Sequence, residues 1–248
     1  MPPAEPAAAL SADGARLQSI DVYRGLAIVV MAAYHASWDL NYFGLISVGI
    51  GVDPLWIGLQ RGIVTAFVLL AGASLWLAHR ERIDWRRFWK RETILIAAAA
   101  GVSIVTWFQF GDYLAYFGIL HAIALFSLMA LPFLRLPVTV VGFVALIVLL
   151  LPAAFSGAAF NPRWISWIGF FTTTPPTADL VPVFPWFGVT LLGIAGIRLL
   201  ARSPAVGWSS GNPAIRSLAQ LGRWSLVIYL IHQPVLFAII SWLAESVA

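Results

Sequence analysis

The sequence predicts an all-α membrane protein, a polytopic bundle of about seven transmembrane helices with the N-terminus in the cytoplasm. Of the 248 residues, 60% are hydrophobic and only 10% are charged, whereas a soluble domain carries roughly a quarter charged residues. The charged residues lie in short stretches, separated by apolar runs of about twenty residues, the length that a helix needs to cross a bilayer. Because these runs are too long for the strands of a membrane barrel and lack their alternation, we expect helices.

Hydropathy divides the chain into a tail and a series of spans. Residues 1–15 are rich in Ala and Pro and predict a disordered cytoplasmic tail, and residues 16–248 predict a single domain. The predicted spans cover about residues 22–43, 56–78, 93–110, 114–133, 137–153, 183–200 and 224–243. The sequence has no convincing internal repeat, which argues against the two related halves common in transporters.

The distribution of Lys and Arg predicts the orientation. The segment between the second and third spans is strongly basic, with Arg80, Arg82, Arg86, Arg87, Lys90 and Arg91. Placing it in the cytoplasm also places there the other loop cations, namely Arg16, Arg135, Arg198, Arg202 and Arg216, with Arg24 and Arg223 near that face. Arg163 is then the one loop arginine on the outer side, as the positive-inside rule requires. The segment 154–181, rich in aromatic residues and prolines, is expected to lie along the outer interface as an aromatic belt or a partial lid.

Composition excludes several functional classes. The chain has no cysteine, so it has no disulfide or thiolate chemistry. The net charge of +4 comes from residues beside the spans, which is typical of membrane topology and does not indicate nucleic acid as a partner. The sequence lacks a glycine-rich phosphate loop, an HExxH motif and a nucleophile elbow, and we expect no metal.

The first span is the most polar one. On a helix Asp21, Arg24, His35 and Asp39 fall within roughly 60° of one another, with Asp21 and Arg24 at the cytoplasmic end. His35 and Asp39 are four residues apart and can touch. An imidazole beside a carboxylate is the minimum arrangement for a general base. The alternative is a polar pair that only packs helices, and ionisable residues within a membrane favour function.

Two further spans carry histidines. His121 lies in the string YFGILHAIAL of the fourth span, and either core hydrogen bonding or a site role explains it. In the seventh span Tyr229 and His232 share one face with Ser225. Some of these histidines are expected to converge. Arg61, near the outer end of the second span, could neutralise Asp39, bind an anion or reach the interface.

Four strings resemble a known family. RLQSIDVYRGLAIVVMAAYHASWDL (Arg16–Leu40) resembles the opening of the heparan-alpha-glucosaminide N-acetyltransferase catalytic-domain family, within the wider group of transmembrane acyltransferases. The resemblance continues, in the same order, in YFGILHAIAL, in DLVPVFPWFGVTLLG and in LGRWSLVIYLIHQPVL. It implies transfer of an acyl group, typically acetyl from cytoplasmic acetyl-CoA, to an amine or hydroxyl of a sugar or envelope glycan at the outer side.

The resemblance also implies roles for residues. The active histidine of the family carries over to His35, which we expect to act as the base with Asp39 as its orienting partner, or as a transient acyl carrier. His121, His232 or Tyr229 would donate to the oxyanion or to the leaving thiolate. The expected contacts for the cofactor are Arg24, Arg86, Arg87, Arg223 and Tyr229.

Two other functions remain open. In a proton-coupled transporter or flippase, His35, Asp39 and His232 would relay protons. In a non-catalytic membrane subunit the polar residues would only pack helices. The expected partners are acyl-CoA, a glycan or amino-sugar acceptor and membrane lipid, in the plasma (inner) membrane, and the oligomeric state is left open, a homodimer included.

Overall fold

The structure, a computed structural model, describes residues 17–201 and 203–247. In chain order its helices are α1 (Gln18–Tyr42), α2 (Pro54–His79), α3 (Trp85–Phe110), α4 (Ile119–Ala130), α5 (Val138–Phe155), α6 (Arg163–Ser166), α7 (Val183–Leu200), α8 (Pro204–Gly207), α9 (Pro213–Arg223) and α10 (Ser225–Val247). Within the described ranges, β-structure is limited to one isolated bridge between Phe117 and Leu180. The prediction of an all-α fold is therefore confirmed. The predicted tail 1–15, Arg16 and Arg202 lie outside the described residues.

Five of the predicted spans coincide with helices that are long and apolar enough to cross a bilayer. These are Pro54–His79, Trp85–Tyr113, Val138–Phe155, Val183–Leu200 and Ser225–Ser246. The other two predicted spans correspond to α1, which carries Asp21, Arg24 and Asp39, and to the shorter apolar helix Ile119–Leu134. The protein is thus a multi-pass membrane protein, while the total of seven spans and the cytoplasmic N-terminus stay predictions.

Two helix ends differ from the predicted span ends for local reasons. Helix α3 begins at Trp85, well before residue 93, because the Asp84 side chain caps it by accepting a hydrogen bond from the Arg87 backbone N–H at 3.0 Å. The basic residues before residue 93 are therefore helical. Helix α4 begins only at Ile119, because Phe117 is extended and pairs with Leu180.

The described residues form two compact units. The first, here the terminal unit, contains the residues up to Phe67 and those from Ser203 onward, so that α1 packs against α9 and α10. The contact between α1 and α9 is very close, since a Cβ at Gly25 would overlap the Leu218 carbonyl and one at Gly222 would overlap the Asp21 carbonyl. The apolar core of this unit consists of Ile28, Met31 and Ile63, with Val30, Tyr34, Phe67, Ile228 and Tyr229 packed against them.

The second unit, here the central unit, contains the residues from Val68 to 201. In it α3 packs against α4, and α5 against α7. Helices α2 and α7 cross at small residues: a Cβ at Gly72 would overlap the Thr190 carbonyl, and one at Gly193 would overlap the Leu69 carbonyl. Such small-residue crossings let two backbones approach and are typical of helices packed in a membrane.

The surface of several helices is apolar. On α5 the exposed side chains include Phe143, Leu146 and Leu150, and on α10 they include Ile231 and Ile239. A soluble protein rarely exposes apolar patches of this extent, so lipid is the solvent for these faces.

Candidate active site

Two histidines lie side by side in the terminal unit. The ring centroids of His35, on α1, and His232, on α10, are 5.0 Å apart with 62° between the ring planes. Tyr34 contacts the edge of His35, with 5.8 Å between centroids, and Tyr229 lies equally close to His232. The packing of α1 against α10 thus brings together two of the three histidines that the sequence predicted within spans.

The protonation of neutral His232 follows from its hydrogen bond. Its Nδ1 lies 2.7 Å from the carbonyl oxygen of Tyr229, one helical turn earlier. Because a carbonyl oxygen only accepts, Nδ1 carries the proton and donates it. The other nitrogen, Nε2, therefore presents a lone pair, and it is buried without a hydrogen-bond partner among the described residues. In this tautomer His232 can act as a general base through Nε2.

Asp39 is fully buried and is held by a residue that the sequence interpretation did not single out. The side-chain amide of Gln233 donates a hydrogen bond of 2.8 Å to Oδ1 of Asp39. Asp39 thus accepts this hydrogen bond from α10 and not from His35, and its predicted role in orienting His35 stays a prediction. Its Oδ2 and the Oε1 of Gln233 are buried, and neither has a partner among the residues that the structure describes. The two acceptors without donors among the described residues therefore belong to Asp39, one helical turn after His35, and to Gln233, which directly follows His232.

Gln233 could have been found by its position in the sequence. It directly follows His232 in the string IHQP, inside a predicted span. A polar side chain at that depth needs a partner, which was a usable signal. The identity of that partner depends on how α1 packs against α10, and the sequence pattern does not contain this information.

A second polar group of the terminal unit lies nearer the start of α1. Asp21 is fully buried and forms ion pairs with Arg24 and with Arg223, each at 3.3 Å. Arg223 is half-exposed. Two guanidinium groups share one carboxylate, so the cluster carries an excess positive charge. Arg24 is the member of this cluster nearest to His35 on α1, about 16 Å away along the helix axis at a rise of about 1.5 Å per residue.

His121 belongs to the central unit. Its Nε2 lies 3.2 Å from the hydroxyl of Ser103, and its ring lies 6.0 Å from that of Phe117. Ser103 donates its only hydroxyl proton to the Ala115 carbonyl at 2.6 Å, so Nε2 of His121 is the donor in the contact with Ser103. The role of His121 as a hydrogen-bond donor to the oxyanion or to the leaving thiolate stays a prediction.

The start of the helix that carries His121 is held by a long-range cap. Oδ2 of Asp179 accepts a hydrogen bond of 2.9 Å from the backbone N–H of Ile119, and a Cβ on Gly118 would overlap this carboxylate. Burial raises the pKa of Asp179 to about 6, against the backbone hydrogen bonds from Ile119 and Leu180, which lower it. In the sequence Asp179 opens the string DLVPVFPWFGVTLLG, and its position gives no sign that it caps a helix 60 residues earlier.

The other residues predicted to contact the cofactor begin helix α3. Arg86 and Arg87 are exposed, and Arg87 forms an ion pair of 3.3 Å with its capping residue Asp84. The hydrogen bond from the Arg87 backbone N–H is the main cause that lowers the pKa of Asp84. Both guanidinium groups are therefore accessible to an anionic ligand.

Comparison with known proteins identifies one family. Residues 16–234 match the family described as "Heparan-alpha-glucosaminide N-acetyltransferase, catalytic". The matched range includes His35, Asp39, His121, His232 and Gln233. No curated protein and no solved structure matches the chain.

Proposed function

Because the chain belongs to the family of the heparan-alpha-glucosaminide N-acetyltransferase catalytic domain, a family of membrane acyltransferase type, we propose that it is an acyl-CoA-dependent transferase. The donor is acetyl-CoA from the cytoplasm, and the acceptor is an amine or hydroxyl of a sugar or envelope glycan at the outer side. The protein works in the plasma (inner) membrane. The observation that carries the proposal is the pair of imidazole rings, 5.0 Å apart, on α1 and α10.

In the proposed reaction the acceptor nitrogen or oxygen attacks the thioester carbonyl carbon and loses a proton to the histidine pair. His35 accepts this proton as the active histidine of the family, and the unpartnered Nε2 of His232 offers a second position for it. The C–S bond then breaks. Coenzyme A leaves as a thiolate and takes up the proton that the imidazoles held, so that the products are the amide or ester and the free thiol.

Asp39 and Gln233 position the acceptor. The free lone pairs of Asp39 Oδ2 and Gln233 Oε1 accept hydrogen bonds from the N–H or O–H groups of the acceptor. This fixes the direction of its attacking lone pair. Such positioning contributes to the rate by holding the reactants in a near-attack geometry.

The donor enters from the basic side. Arg24 and Arg223 keep an excess positive charge beside Asp21, which favours the phosphates of coenzyme A. The acyl end of the pantetheine arm extends between helices toward His35.

The test uses the full chain reconstituted in vesicles. Acetyl-CoA is supplied on one face and an acceptor panel that includes glucosamine on the other, and both the free thiol and the acetylated product are measured. We expect product with the wild type and a loss of about 10²–10⁴-fold with His35→Ala. Ser241→Ala, which removes only a hydrogen bond to the backbone of α10, is the control. Proton-dependent uptake of a solute without any release of thiol would contradict the proposal and favour a transporter.

A further inference from the structure

A second buried acid lies outside the site described above. Glu92, on α3 in the central unit, is fully buried, and neither of its carboxylate oxygens has a hydrogen-bond partner among the described residues. A buried carboxylate is costly unless it is both paired and hydrogen-bonded. The proposed reaction makes no use of it, so this acid needs an explanation of its own.

The neighbours of Glu92 balance its charge but leave its lone pairs free. Nη1 of Arg91 is 3.8 Å from Oε2, which is too long for a hydrogen bond. The same nitrogen lies 3.2 Å from the hydroxyl of Ser127, and that hydroxyl donates its own proton to the Ile123 carbonyl. The carboxylate is therefore an acceptor in need of donors, next to a cation that already has another partner.

The charges of the segment that precedes Glu92 in the sequence limit what can supply these donors. The segment 79–91 contains six cations and two acids, namely Arg80, Arg82, Arg86, Arg87, Lys90 and Arg91 against Glu81 and Asp84. Such a positive field repels a free cation and attracts an anion. An occupant that suits both features is an anionic molecule that also carries neutral N–H or O–H groups.

We propose that Glu92 anchors a phosphate-bearing ligand by accepting hydrogen bonds from its neutral N–H or O–H groups, while Arg91 and other cations of the segment 79–91 hold its phosphates. Two sources have this chemistry. Coenzyme A has amide and hydroxyl groups on its pantetheine arm. With this source Glu92 and the cations of residues 79–91 bind coenzyme A within the central unit, and the inference rests on the proposed use of acyl-CoA by this protein. The second source is an anionic lipid with a hydroxylated headgroup, such as phosphatidylglycerol.

The experiment compares ligands with the same number of phosphates and different donor groups. Calorimetry on the purified full chain measures the affinity for coenzyme A and for 3′-phosphoadenosine 5′-diphosphate, which lacks the pantetheine arm. Native mass spectrometry compares phosphatidylglycerol with phosphatidylethanol, a phosphodiester that lacks the headgroup hydroxyls. The two nucleotides form one pair of ligands and the two lipids form the other. In the wild type, the member of one pair that carries the hydrogen-bond donors is expected to bind more tightly than the member without them.

The variant Glu92→Gln replaces the carboxylate by an amide of the same shape. It is expected to reduce the preference in that pair about tenfold, the effect of losing hydrogen bonds to a charged acceptor, with little change for the ligand that lacks donors. Glu81→Gln makes the same exchange in the same basic segment at an exposed carboxylate and should keep the wild-type preference. Glu92→Asp, which keeps the charge but shortens the reach, should give an intermediate result.

Three outcomes decide the inference. A preference for coenzyme A or for phosphatidylglycerol that depends on Glu92 supports it and names the source. A wild type without either preference overturns it, whatever the variants do, and so does a Glu92→Gln protein that folds and keeps the preference unchanged. Absence of acetyl transfer, with the dependence on Glu92 intact, would instead refute the proposed function alone.

Discussion

The rings of His35 and His232 lie 5.0 Å apart on two helices that are separated by most of the chain. Nδ1 of His232 is committed to the Tyr229 carbonyl, so the free nitrogen of this residue is the basic one. Two adjacent imidazolium groups in a buried site would repel each other, and the pair is expected to hold one extra proton at a time. The two residues should therefore act as a unit.

The first prediction concerns this coupling. His35→Ala and His232→Ala should each lower kcat/KM for acetyl transfer by about 10²–10⁴-fold. Because removing either ring disrupts the same histidine pair, kcat/KM of the double variant should be no more than about tenfold below that of the less active single variant. Thiol release from acetyl-CoA measures all three proteins. Losses that multiply in the double variant would show that the two rings act independently.

Part of the fold and of the histidine site could be predicted from the sequence. Hydropathy identified the helices, because the bilayer sets their length, and five of the predicted spans coincide with long apolar helices. The depth of His35 and His232 within apolar runs marked them as unusual. The partner of Asp39 was not accessible, since spacing on α1 offered His35 as a neighbour while the fold supplies Gln233 from α10. Contacts between distant helices depend on side-chain packing, which helical periodicity does not encode.

The second prediction concerns the bond between Asp39 and Gln233. Gln233→Leu leaves both oxygens of a buried carboxylate without a donor and should lower the free energy of unfolding by about 1–3 kcal/mol. The double variant Asp39→Leu with Gln233→Leu should recover part of this loss, because the unpaired carboxylate is then absent. Unfolding in mixed detergent micelles measures the difference. A double variant that is less stable than Gln233→Leu would contradict this explanation.

The third prediction concerns the crossing of α1 and α9. In Gly222→Ala the new methyl group would overlap the backbone carbonyl of Asp21, so the helices must separate and the ion pair between Asp21 and Arg223 must lengthen. The free energy of unfolding should fall by about 1–3 kcal/mol, as for other overpacked sites.

Gly196→Ala is the matched control for this crossing. It also lies within a helix, but a Cβ there meets no atom within 4 Å. Because alanine favours a helix over glycine by roughly 1 kcal/mol, this variant should be neutral or slightly more stable. Equal destabilisation by the two substitutions would refute the close approach at Gly222.

The fourth prediction concerns the cap of the helix that carries His121. The pKa of Asp179 is about 6 in the folded protein, against an ordinary value of 3.8. Between these two values the folded state holds a proton that the unfolded state has lost. The contribution to stability is therefore fully present below pH 3.8 and is lost as the pH rises through 6, to the extent of about 3 kcal/mol.

Asp179→Asn should abolish this part of the pH dependence. The amide oxygen can still accept the hydrogen bond from Ile119, but it carries no charge at any pH, so the penalty for burying a carboxylate disappears. The free energy of unfolding of the variant, relative to that of the wild type, should therefore rise steadily between pH 4 and pH 7. Above pH 7 it should change little. Unfolding free energies measured across this range test the prediction, with the exposed Asp112→Asn on the preceding turn as the control that keeps the wild-type profile. Parallel profiles for wild type and Asp179→Asn would mean that Asp179 stays ionised in the folded protein, and the cap would then act as a fixed negative charge at the start of α4.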